Sequence, residues 1–157
     1  MLRFNRNLAI ATAWAVVIFA TSCSFIERSV FINFVKKFIP SGVPQELWMS
    51  FWSYFGLLVV KGYHVTEFAV LCWLLQKALH RQFPRRPLQA LASAALVALV
   101  YASSDERHQT FVPGRGGTWV DVMIDGIGIS IATAAFCSRM RRHTDEEAPQ
   151  SAEPETF

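Results

Sequence analysis

Charge is what this chain has least of. Only 17% of its 157 residues are Asp, Glu, Lys or Arg, against roughly a quarter in soluble domains. The deficit is concentrated in long apolar runs, and 52% of the residues are hydrophobic. A soluble domain of this length mixes polar residues through its elements, so apolar blocks point to a protein that lives in a membrane. The net charge is +3, yet the basic residues form no continuous stripe, so a nucleic-acid partner is not expected. Cysteine is equally sparse. Cys23, Cys72 and Cys137 each lie inside an apolar block, and an odd number so placed argues for small buried thiols rather than a disulfide framework. No serine elbow, Walker loop, CxxC pair or HExxH spacing occurs, so neither a cofactor nor a metal is expected from motifs.

What is present is four apolar runs, at about 8–26, 63–79, 88–104 and 120–138. The first alone is long enough to cross a hydrocarbon core roughly 30 Å thick, and the others reach across with modest thinning or polar ends. The expected fold is all-α: a polytopic membrane helix bundle of about four transmembrane helices. A rival reading of the start, a secretory signal ending near Cys23, suits the basic n-region, but the run is long for a signal. Between the first two runs, Phe31, Phe34, Val35 and Phe38 share a helical face beside Lys36 and Lys37, as in an interfacial helix. Pro40, Gly42 and Pro44 then break the chain. The aromatic stretch from Trp48 to Val60 is left open as interfacial or re-entrant, because running it into the next span makes an overlong helix.

Basic residues set the direction. Arg3 and Arg6, then Lys77, Arg81, Arg85 and Arg86, then Arg139, Arg141 and Arg142 all fall on one side of a four-span arrangement. The positive-inside rule makes that side cytoplasmic, with both termini, in an inner membrane. The tail 144–157 is acidic, Pro-containing and nearly free of apolar residues, and is expected to be disordered. Within the membrane, Ala90, Ala94, Ala98 and Ala102 recur every four residues, as do Gly126, Ser130, Ala134 and Ser138. Matching small-residue stripes let two helices approach closely and predict a tight antiparallel hairpin of the last two spans.

The polar residues converge. Lys61, His64 and Glu67 recur every three positions along one inclined helical face, with Glu67 at membrane depth. A carboxylate there costs roughly 2.5 kcal/mol or more unless paired or protonated, and an ion pair within the triplet is the plain explanation. Asp105, Glu106, His108 and Gln109 end the third run on the same side. Asp121 and Asp125 open the fourth, where a helix N-terminus favours carboxylates. Pro113-Gly114 and Gly116-Gly117 turn the connecting loop sharply and let backbone approach a ligand. Arg115 between them suits a phosphate or carboxylate, which its planar fork binds bidentately. Candidate catalytic residues are therefore His108, Asp105, Glu106, His64 and Glu67, for acid–base work on a headgroup or glycan. Candidate ligand contacts are Lys61, Gln109, Arg115, Asp121 and Asp125.

The stretch "SSDERHQTFVPGRGGTWVDVMIDGIG", with "KGYHVTEFAV" upstream and "TSCS" ending the first run, resembles the signature of VanZ-like membrane proteins over about residues 8 to 137. The resemblance implies an integral membrane protein of the cell envelope, and the family's namesake is associated with resistance to the glycopeptide-type antibiotic teicoplanin. Its motif positions here are Lys61, His64, Ser104, Asp105, Glu106, His108, Gln109, Pro113, Arg115 and Asp121, followed by Asp125 and Gly128. Arg107 falls at a variable position. The functional expectation is an outward-facing polar site that binds or processes an anionic, lipid-linked envelope molecule, with membrane lipids or a lipid-linked precursor as partners. Whether a bond is broken, and how many copies assemble, the residues leave open. The alternative is a non-catalytic assembly factor whose charged cluster locks the helices. A transporter fits less well, since spans one and three lack polar residues at mid-depth.

Overall fold

A computed structural model of the chain describes residues 5–23, 37 and 44–147. Among these, four helices and no strand occur: α1 (Arg6–Ser22), α2 (Gln45–Gln82), α3 (Pro87–Gln109) and α4 (Trp119–Glu147). The chain is an all-α membrane bundle, as the composition implies. Three stretches, Glu46–Gln82, Pro87–Gln109 and Trp119–Arg142, are long and apolar enough to cross a membrane. The fourth helix, α1, is apolar but shorter at 17 residues, roughly 25 Å of rise.

The largest departure from expectation is α2. In place of a span over 63–79, one helix runs unbroken for 38 residues. The break signals Pro40, Gly42 and Pro44 all precede it, and Pro44 is its N-cap. No proline follows until Pro84. Gly56 and Gly62 each cost about 1 kcal/mol relative to alanine, but neither removes a rung of the hydrogen-bond ladder. The stretch from Trp48 to Val60 is therefore the first half of α2. Its aromatic rings stack along the helix, Trp48 on Phe51 at 5.7 Å and Phe51 on Phe55 at 4.7 Å between centroids. The expected interfacial helix at 31–38 lies outside the described residues, except for Lys37. Two other helices also outrun their expected ends. α3 continues past 104 to Gln109, which carries the acidic motif onto the helix. α4 continues past 138 to Glu147, so the first residues of the acidic tail are helical; 148–157 lie outside the described residues.

The helices alternate in direction. Nδ2 of Asn5, at the start of α1, donates to the Ala78 carbonyl near the end of α2 at 2.8 Å. Halfway along, Trp14 Nε1 donates to the Glu67 carbonyl and the Tyr101 hydroxyl to the Ala15 carbonyl, at 3.0 and 2.6 Å. The core between them joins Ile18, Phe68, Leu71, Cys72, Ala98, Ala102, Ile129 and Ala132. Around it the exterior is apolar: Leu96, Val100, Ile127 and Ile131 are all more than half exposed. Such a surface is an aggregation hazard in water and a natural boundary with hydrocarbon.

Of the two small-residue stripes, only one is an interface. Ala90, Ala94, Ala98 and Ala102 are all buried, so α3 presents its alanine face to the bundle as the spacing predicts. Along α4, by contrast, Ser130, Ala134 and Ser138 are exposed, which corrects the expectation of two matching stripes. The buried face of α4 is Val122, Asp125, Ile129, Ala132 and Phe136. Ser130 and Ser138 instead donate to the carbonyls four residues back, at 2.8 and 2.9 Å, which satisfies each hydroxyl within its own helix. α4 approaches α2 closely: a Cβ at Gly128 would collide with the Val65 carbonyl oxygen.

Candidate functional site

At one end of the bundle the end of α1, the middle of α2, the end of α3 and the start of α4 meet, and nearly all the polar residues singled out from the sequence gather there. The face of α3 that carries the alanine stripe continues into Asp105, Glu106 and Gln109, all buried. A buried charge must be paired, bonded or neutralised, so the partners of each group decide what it does.

On the α1–α3 side Asp105 is bonded through one oxygen, its Oδ1 having no hydrogen-bond partner among the described residues. Oδ2 of Asp105 accepts from Ser22 Oγ and from Gln109 Nε2, both at 2.7 Å. Arg115 Nη1 donates to the Thr21 and Ser22 carbonyls at 2.9 and 3.0 Å. The last carbonyls of a helix have no intrahelical donor, and the guanidinium supplies one while placing positive charge at the negative pole of α1. Thr21 Oγ1 lies 3.2 Å from Glu67 Oε1. His108 sits beside Cys23, with Sγ and Nε2 3.4 Å apart, and its ring lies 4.9 Å from that of Phe19.

On the α2–α4 side, Lys61 Nζ meets Asp121 Oδ1 at 2.5 Å, a pair about one-third exposed. Asp121 is further tied to Thr118, whose Oγ1 donates to Oδ2 at 2.8 Å and accepts from the Asp121 amide at 3.2 Å. That is an N-terminal cap for α4. The Thr118 amide in turn donates to Glu106 Oε2 at 3.2 Å, joining α3 to the loop. The triplet Lys61, His64 and Glu67 thus pairs across helices and not within itself. Deeper in, His64 Nδ1 lies 3.8 Å from Asp125 Oδ1, too far for a hydrogen bond. Asp125 is fully buried, and neither of its carboxylate oxygens has a hydrogen-bond partner among the described residues. Donor atoms of His64, Glu106 and Asp125 all fall within 4.8 Å of one another.

The sharp turn expected of the loop glycines is present. Gly114 takes a left-handed backbone, φ 82°, as a sharp turn requires. Gly117 brings the loop against α3, since a Cβ there would strike the Glu106 carbonyl oxygen, and it also lines the cavity beside the cluster.

Beside this cluster, between the ends of α3 and α4, lies a cavity of about 580 Å³. Ser103, Ser104, Glu106, Arg107, Thr110 and Thr118 give its polar lining, and Val100, Phe111, Trp119 and Val122 its apolar lining. Its volume lies within the range of small-molecule clefts.

A family model described as VanZ/LLP1 matches residues 7–140. The chain belongs to the VanZ/LLP1 family. No curated protein and no solved structure matches it. The matched span of this VanZ/LLP1 protein contains every residue of the polar end and of the cavity.

Two contributors escape a reading of the sequence. Thr118 carries a signal, the Thr-x-x-Asp spacing to Asp121 ahead of an apolar run, which marks a capping box. Arg107 carries none: only the rotation of α3 decides that it faces the cavity while Asp105 faces α1.

Proposed function

We propose that this VanZ/LLP1 protein is a multi-pass protein of the inner membrane, with both termini cytoplasmic, whose polar end faces outward and binds the headgroup of an anionic, lipid-linked envelope molecule. The observation that carries this reading is the cavity beside Glu106, where hydroxyls and the exposed Arg107 stand next to Val100, Phe111, Trp119 and Val122. Arg107 supplies the cation for a phosphate or carboxylate. The apolar wall suits the first carbons of a lipid tail, and exposed Phe111 and Trp119 (73% and 80%) are residues that favour the headgroup level. Arg115 and Lys61, the anion contacts suggested by residue type, are engaged with α1 and Asp121, so the role of anion contact passes to Arg107. A link to glycopeptide resistance rests on the family resemblance.

The test is a lipid-extract mass spectrum of the purified wild type and of Arg107→Ala. An anionic lipid that co-purifies with the wild type and falls several-fold in an equally well-folded variant is the expected result. Equal lipid in both removes the headgroup role of Arg107.

A second reading has its own support. Arg115 on the carbonyls of α1, and Asp105 bonded to both Ser22 and Gln109, are the contacts of a structural lock. A wild type with no specific lipid favours that reading for the whole cluster.

A further inference from the structure

The α2–α4 half of the polar end contains a group that neither the lock nor the headgroup cavity uses. Asp125 is 0% exposed, and among the described residues both its oxygens lack a hydrogen-bond partner, as does Nδ1 of His64 facing it. An ionised carboxylate left this way is among the most costly arrangements in a protein interior. The surroundings add to it. Among the described residues, the carboxyl groups of Glu67, Asp105, Glu106, Asp121 and Asp125 outnumber the cations Lys61, Arg107 and Arg115 at this end.

We propose that His64, Glu106 and Asp125 bind a divalent transition-metal ion of the Zn²⁺ or Mn²⁺ type. Three donors from three helices lie within 4.8 Å of one another. Around an ion with bonds of about 2.1 Å, ligand atoms stand roughly 3.0–4.2 Å apart, so side-chain rotations that contract the set by up to about 1–2 Å would close it. One imidazole with two carboxylates suits Zn²⁺ or Mn²⁺ better than Mg²⁺ or Ca²⁺, which prefer oxygen alone. The ligands are already steered: the Thr118 amide holds Glu106 through Oε2 at 3.2 Å, the outer-sphere orientation that metal carboxylates commonly have. Glu106 also lines the cavity, so a bound ion would lie next to it. An ion there would place positive charge against an anionic headgroup, a consequence that rests on the proposed headgroup site; the cation site itself does not. No ligand spacing in the sequence announces this set, because its members are 42 and 19 residues apart along the chain.

Metal content decides the matter. Wild type, Asp125→Asn, His64→Gln and, as a control at the far end of α4, Ser138→Ala are purified in detergent and stripped with chelator. Each is then equilibrated with Zn²⁺ or Mn²⁺, desalted and measured by mass spectrometry of the metal, with thermal unfolding recorded alongside. About one ion per chain is expected in the wild type and control, with a metal-dependent rise in Tm. In both site variants retained metal should fall to background and the rise should vanish. Asp125→Asn keeps the shape of the side chain, and His64 is only partly buried, so at least one folded variant remains to be read. Metal at background in the wild type overturns the proposal, and so does full retention in both site variants. No lipid is added in this experiment, so its outcome tests the cation site alone, and the headgroup reading stands or falls separately on the lipid carried by wild type and Arg107→Ala.

Discussion

Asp105 and Asp125 lie at the same end of the bundle, both buried in helices that pack against each other, yet their surroundings differ. Asp105 has two donors on one oxygen, a serine from α1 and a glutamine one turn along its own helix. Asp125 has none. The pair divides the polar end into a half that fastens and a half that waits for a ligand. Burial and sequence motif are alike in the two cases. What separates them is the count of donors: among the described residues Oδ1 of Asp105 is unpartnered like both oxygens of Asp125, but its Oδ2 holds two donors, and a carboxylate so bonded costs less to bury than one with none.

If the division is right, substitutions on the fastening side must act first on stability. Arg115→Ala has the largest expected effect: it removes two charge-assisted bonds to the last carbonyls of α1, costing roughly 3 kcal/mol or more. Thermal unfolding in detergent should show a fall in Tm and in folded yield, and an unchanged Tm would mean that α1 is held by its apolar face alone. Ser22→Ala comes next. It leaves Asp105 with Gln109 as its donor and should cost about 1–2 kcal/mol, readable in the same assay. A loss as small as that of an exposed pair would erase the contrast between the two aspartates. Lys61→Ala should do least to stability. Its partner Asp121 keeps Thr118, and an ion pair about one-third exposed contributes less than about 1 kcal/mol. The effect should shrink further as salt is raised, whereas a large salt-insensitive loss would move Lys61 into the lock.

The same contrast shows how much could be seen in the residues alone. The apolar runs, the alanine stripe of α3 and the gathering of polar residues at one end were legible, because each depends on a local period or on hydrophobic length. The fate of individual polar groups was not. His108 and Asp105 are three apart and read as an acid–base pair, but Asp105 bonds to Ser22 and Gln109 while His108 lies against Cys23 and Phe19. Arg115 reads as an anion fork, yet its printed bonds go to backbone carbonyls 93 and 94 positions away. The small-residue period along α4 was as regular as that of α3, and its face is turned outward. A helical period says which residues share a face; it does not say which face meets a neighbour.

Composition and hydropathy by themselves determined that this is an all-helical membrane protein with a polar end, since the bilayer demands apolar length and internally satisfied backbone. The proline positions determined where α2 could begin. Only the tertiary structure decided that α4 leans on α2 through Gly128, that α3 turns Asp105 toward α1 and Arg107 toward the cavity, and that His64, Glu106 and Asp125 meet. Those outcomes depend on the rotation of each helix about its axis, which is set by close packing against neighbours and is carried by no single stretch of the chain.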